Sequence, residues 1–173
     1  MDSMFKSLTL GIVSVAGLLA SQSAAMAAEP TAIATYRDWS VFVRDVDGDK
    51  ICFAATEAKD KSPKSVRHGN IFFLVASWKS GAATFQPSLM TGYNLQDKPV
   101  PTIRIGSEKW QMFSSENEAF IEENARERSL ISAMRRGSDM RVSAVSSRGN
   151  ATNYVLSLRG VTKALERVGE ACG

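Results

Sequence analysis

The sequence predicts a mainly β domain that closes on an amphipathic C-terminal helix and carries one disulfide. Three observations lead to that expectation. Apolar and polar residues alternate with a period of two in several short stretches, turn residues separate those stretches, and two cysteines, Cys52 and Cys172, stand far apart. The chain has 173 residues and a net charge of +3. That length suits one domain with a sizeable core, and no repeat or low-complexity tract divides it.

The first residues read as a secretory signal. Lys6 precedes an apolar run from Leu8 to Ala20, LTLGIVSVAGLLA, and Ala25-Met26-Ala27 offers a small-x-small cleavage site. Asp2 offsets Lys6, and initiation at Met4 would remove that acid. A run of 13 residues is short for a bilayer span, which needs roughly 20. Residues 1–27 are therefore expected to be removed, leaving 28–173 as a single domain without a transmembrane anchor. No cysteine at the cleavage site is available to carry a lipid. The product is expected to be periplasmic or secreted.

In such a compartment an even cysteine count predicts pairing, and two cysteines allow one connectivity. Closing a loop of roughly 120 residues would stabilise the fold by about 4 to 5 kcal/mol in the chain-entropy account. There is no Cys-x-x-Cys, and His68 is the only histidine, so neither a redox motif nor a metal-ligand set competes for Cys52 and Cys172.

Along residues 28–173 the expected elements are mostly strands. YRDWSVFVRDV, residues 36–46, places Trp39, Val41 and Val43 on one face; Asp47-Gly48 then turns the chain into KICFAAT. Residues 57–69 mix both charge signs with Pro63 and Gly69 and predict an exposed loop. NIFFLVASW, residues 70–78, is nearly continuous in apolar character and predicts the central strand. TIRIGSEKWQMF predicts a second hairpin about Gly106-Ser107. Asn124 with Glu127 resembles a capping box, and Leu130, Ile131 and Met134 recur at helical spacing before Gly137. Arg135 and Arg136 would then complement the helix dipole while Gly137 takes the left-handed cap conformation. MRVSAVS and TNYVLSL follow, joined by the turn Ser147 to Asn150. Last, VTKALERVGEAC aligns Val161, Leu165, Val168 and Cys172 in one apolar stripe. Packed on the sheet that holds Cys52, it would tie the ends of the domain together, with Gly169 loosening its last turn.

Several of these residues, taken in order, resemble the invasion-associated locus B (IalB) family. The resemblance rests on Asp38-Trp39-x-Val41, Cys52-Phe53-Ala54, Gly92-Tyr93, Ala133-Met134-Arg135-Arg136-Gly137, Arg148-Gly149-x-x-Thr152, Ser157-Leu158-x-Gly160 and Cys172. It implies an exported β-sandwich of immunoglobulin-like architecture and, in some pathogens, an association with bacterial entry into host cells. It implies no catalytic residues. Many members carry another cysteine shortly after the first tryptophan, where this chain has Phe42-Val43, so one disulfide is expected here.

Reaction chemistry is not visible in the chain. His68 lies in the charged 57–69 stretch and reads as an exposed loop histidine, and no Gly-x-Ser-x-Gly elbow precedes a helix. The acids Glu116, Glu118, Glu122 and Glu123 read as solvated surface. Asp45, Asp47 and Asp49 alternate around Gly48, but the closing Glu of a calcium loop is missing. No cofactor or metal is expected. Charge is the remaining hint. From residue 125 onward nine Lys or Arg face four acids, and Arg135, Arg136, Arg141, Arg148 and Arg159 are candidates for holding an anionic partner such as an envelope component or a host surface. The competing reading spreads them over several faces and leaves them only a solubility role. Nucleic acid is not an expected partner, since no basic motif with interleaved aromatics stands out. These features favour a non-enzymatic binding module, with a small periplasmic hydrolase as the alternative.

Overall fold

Asp47 and Gly48 both take positive φ, 51° and 84°, the paired left-handed geometry of a two-residue hairpin turn. They join β2 (Trp39–Val46) to β3 (Asp49–Glu57) in the register the alternation requires. The computed structural model describes residues 29–173; the expected signal segment, with its expected cleavage site at Ala27, lies outside the described residues. Around this hairpin a seven-stranded antiparallel sheet assembles in the order β1-β2-β3-β5-β6-β10-β9. Its other members are β1 (Thr31–Tyr36), β5 (Phe72–Trp78), β6 (Gln86–Met90), β9 (Phe113–Ser115) and β10 (Glu118–Phe120). β5, from the apolar run, is its middle strand, as expected.

A five-stranded antiparallel sheet runs β4-β12-β11-β7-β8. It comprises β4 (Asp60–Ser62), β7 (Thr102–Ile105), β8 (Glu108–Gln111), β11 (Asp139–Val145) and β12 (Ala151–Ser157). β4 corrects one expectation: part of the 57–69 stretch is a strand paired to β12 rather than a free loop. The mixed charges there decorate an edge, which hydropathy alone does not separate from a loop.

The two sheets share one core with two helices, α1 (Asn124–Arg136) and α2 (Val161–Cys172), giving the expected sandwich with a C-terminal helix. α2 lies against β1, β2, β3 and β5 and buries Val161, Ala164, Leu165, Val168 and Cys172. Burying each large aliphatic side chain is worth about 1.5 to 3 kcal/mol. Cys172 bonds Cys52 on β3, and no cysteine is free among the described residues. The helix continues through Gly169 rather than loosening there, and the Gly173 N–H donates to the Gly169 carbonyl at 2.6 Å.

Two glycines set the helix ends. Gly160, at φ 98°, precedes α2 where an added Cβ would collide with the Tyr36 carbonyl oxygen. At Gly137 the expected left-handed cap is absent, for the residue is extended at φ −83° and ψ 164°. Glycine is needed there for space: a Cβ would lie 2.7 Å from Ile105 Cγ2 and 2.8 Å from Leu158 Cδ1. The expected capping box is also absent. Glu123 takes the N-cap position, Asn124 is already helical, and no side chain caps the first turn.

A seam of polar contacts joins the sheets. The Trp39 indole N–H donates to the Ser157 carbonyl at 2.9 Å, and Ser157 Oγ donates to Asp38 Oδ2 at 2.7 Å. Lys59 Nζ sits 2.8 Å from Asp38 Oδ1. Lys59 and Ser157 together hold the Asp38 carboxyl below its ordinary range.

Candidate functional site

In β7 and β11, and at Trp110 of β8, alternate residues are committed to the core. Ile103, Ile105, Trp110, Met140 and Val142 are buried, so the residues between them must face outward. Arg104, Lys109 and Arg141 are therefore all exposed, and they stand directly opposite one another across three adjacent strands. Cross-strand neighbours lie roughly 5 Å apart, where like charges repel and destabilise the pairing. The row is thus a surface that an anion would relax.

Arg136, in the last turn of α1, extends this surface. With Arg104 and Arg141 it lines a cleft of about 540 Å³, closed on its other sides by Glu108, Gly137 and Asp139. The internal counter-charges are loosely held: Arg136 Nη2 is 3.6 Å from Glu108 Oε1, and Arg141 Nε is 3.9 Å from Asp139 Oδ1. Exposed pairs of this kind contribute about 0 to 1 kcal/mol, so they leave the arginines available. A further hollow of about 350 Å³ on the same face adds Thr102, Ser143 and Asn153 beside the cations. Ser143 Oγ donates to Asn153 Oδ1 at 2.7 Å.

Of the five arginines singled out in the sequence, the fold brings Arg136 and Arg141 together and separates the others. Arg135 is exposed and lines a groove with Glu127 and Arg128 beside Phe85. Arg148 lies in the β11–β12 turn, next to Arg67 and His68. Arg159 is exposed near Asp38, whose charge it attracts. Arg104 and Lys109 were missed. The signal that could have found them was present, because the second hairpin places both at outward positions.

His68 is a correction. It is 8% exposed rather than free in a loop. Its Nε2 is 2.8 Å from the Pro63 carbonyl, which only accepts, so Nε2 carries a proton. Nδ1 is 3.1 Å from the Tyr154 hydroxyl, which in turn is 2.6 Å from the Tyr93 hydroxyl. Tyr93 reaches Thr152 Oγ1 at 2.8 Å, and Thr152 donates to the Ala144 carbonyl at 3.1 Å. Burial drives the Tyr154 hydroxyl far above its ordinary range. Ser146 and Ser147 line the polar pocket of about 390 Å³ beside this chain. Both ring nitrogens of His68 already have partners, and among the described residues no serine hydroxyl bonds to it.

Glu118 is a second correction. It is half-buried on an apolar sheet face, and burial pushes its carboxyl up while Arg44 pulls it down. Asp49 has a local duty: its carboxylate accepts from the Ser80 N–H at 3.1 Å and from Ser80 Oγ at 2.5 Å. No group of three or more metal-ligating side chains occurs among the described residues. No described helix is long and apolar enough to cross a membrane.

A family model described as Invasion associated locus B (IalB) protein matches residues 39–169. No curated protein and no solved structure matches the chain.

Proposed function

The chain belongs to the invasion associated locus B family, and on that premise we propose that it is an exported, non-enzymatic binding module whose five-stranded sheet holds an anionic macromolecular surface. The observation that carries this reading is the Lys109–Arg104–Arg141 row, extended by Arg136. Asp139 and Glu108 of the same sheet offset its repulsion only through long, exposed pairs at 3.9 and 3.6 Å, and its cations are exposed. An envelope polymer, a lipid headgroup layer or a sulfated host glycan all present the required chemistry: repeated fixed negative charge. The disulfide supports an extracytoplasmic setting. Against a hydrolase stands His68, whose two nitrogens are engaged by Pro63 and Tyr154.

The test is retention on immobilised heparin and on anionic vesicles at low salt. The double reversal Arg104→Glu with Arg141→Glu should weaken retention about thirtyfold, because each exposed attraction removed and each repulsion introduced costs on the order of 0.5 kcal/mol. Arg135→Glu changes net charge on another face and should have a small effect. Equal weakening by the Arg104 and Arg135 variants would replace a specific surface with bulk charge and remove the proposal.

A further inference from the structure

The outer face of the seven-stranded sheet is built unlike any other surface of the molecule. Along β3 and β5, residues 53, 55, 72, 74, 76 and 78 point away from the core, yet they read Phe, Ala, Phe, Leu, Ala and Trp. A solvated antiparallel face normally alternates to polar residues at these positions. Phe42 on β2, Met90 on β6 and Phe120 on β10 extend this apolar centre, polar Arg44, Gln86, Ser88 and Glu118 stand among them, and all six of the β3 and β5 residues are half-buried.

Its relief is a trough. Leu74 stands between the small residues Ala55 and Ser88, and Ala76 follows it on β5 between Phe53 and Gln86, so the middle of the face is low around one leucine. Phe42 and Phe53 stack at 5.2 Å and 18° to make one wall. Phe120 and Met90 rise on the other side, and Trp78 and Phe72 stand near the two ends of β5. The space enclosed is about 580 Å³, within the range of roughly 300 to 1,000 Å³ that small-molecule sites occupy.

Shape and charge together select the occupant. A second copy fits poorly, because an isologous contact sets the same patch on both subunits, and a trough facing its own image leaves a doubled void. An apolar hollow around Leu74, bordered by Phe53, Phe72, Trp78 and Phe120, fits a flexible hydrocarbon chain. At the lips, Arg44 is exposed, has no salt-bridge partner among the described residues and is permanently charged. Glu118 stands at the Phe72 end of the face and Arg44 at the Trp78 end, so the arginine is the charge that marks its own end.

We propose that this trough is a binding site for a single-chain amphiphile, its hydrocarbon tail along Ala55, Leu74 and Ala76 and its anionic head beside Arg44. The site is separate from the basic row on the other sheet and does not depend on the function assigned to that row. The chemistry is that of a fatty acid or a lysophospholipid.

The experiment uses tryptophan emission. Trp78 borders the trough, whereas Trp39 and Trp110 are 0% and 1% exposed in the core. Dodecanoate, dodecyltrimethylammonium and dodecyl maltoside are titrated below their micellar concentrations. Dodecanoate should give a saturable blue shift that Trp78→Phe abolishes. Arg44→Gln should weaken dodecanoate about fivefold and leave dodecyl maltoside unchanged. Ala55→Phe, which fills the hollow, should remove binding of all three while preserving the melting temperature. If Ala55→Phe does not fold, the Arg44→Gln comparison decides alone. The lysophospholipid arm, lysophosphatidylglycerol against dodecanoate, separates the two lipid sources. No saturable shift, tighter binding of the cationic amphiphile, or a dimer in sedimentation that dodecanoate splits would each overturn the proposal.

Discussion

The two outer faces of this sandwich obey the same strand geometry and carry opposite chemistry. On the five-stranded sheet, outward positions of adjacent strands hold Lys109, Arg104 and Arg141, with Thr102 and Ser143 along the same strands. On the seven-stranded sheet the equivalent outward positions hold phenylalanine, alanine, leucine and tryptophan. Each face is costly in its own way. The first sets like charges opposite one another, and the second leaves apolar area in water. Neither arrangement is one that fold stability alone favours, which is the difference the proposed partners would account for.

The layer between the faces offers the strongest way to break this comparison. Replacing Cys52 and Cys172 by serine should lower the free energy of unfolding by about 2 to 5 kcal/mol, read as a shift in denaturant midpoint that reductant reproduces in the parent protein. Because α2 lies beneath β1, β2, β3 and β5, the trough should loosen before the basic row does. Hydrogen exchange showing the reverse order would mean that the two faces do not depend separately on their own supports. Next in size is Gly137→Ala. The added methyl meets Ile105 and Leu158 at under 3 Å, and overpacking of that kind costs about 1 to 3 kcal/mol. A lowered melting temperature should accompany altered heparin retention, since Gly137 lines the arginine cleft.

Asp38→Asn probes the seam where the sheets meet. Lys59 and Ser157 hold the folded carboxyl below its reference value of 3.8. A depressed folded value stabilises above the unfolded value, and that stabilisation is lost as pH falls through the folded one. Denaturation curves should therefore show the variant weaker than the parent at pH 6, with the gap closing below about pH 4. The smallest effect sharpens the contrast most. Arg104→Thr removes the middle of three opposed cations, so it should stabilise the fold by about 0.2 to 0.5 kcal/mol at low salt while weakening heparin retention. A variant that loses both stability and retention would mean that the row serves the sheet itself.

Much of this architecture was legible in the chain. Period-two alternation exposed the hairpins, and the stripe Val161, Leu165, Val168, Cys172 gave the helix, its buried face and the disulfide to β3. What escaped was set by tertiary contact. His68 sits in a charged stretch, yet Tyr154, 86 residues away, draws it inside. Gly137 was read through its backbone, although its reason is the side chains of Ile105 and Leu158. Half of the arginine site was found because Arg136 and Arg141 lie close in the chain. Arg104 and Lys109 join them only through strand pairing. The residues that carry the family resemblance turn out to be largely structural: Asp38, Trp39, Ser157 and Gly160 build the seam and the approach to α2.

One property of the cationic row follows from how β-sheets are bonded. Its three side chains leave the sheet one after another perpendicular to the strands, from backbones set roughly 4.8 Å apart by hydrogen bonding. An extended polyanion seated there would run athwart the strands, and its affinity would be tuned by the pitch of its charges rather than by their density alone.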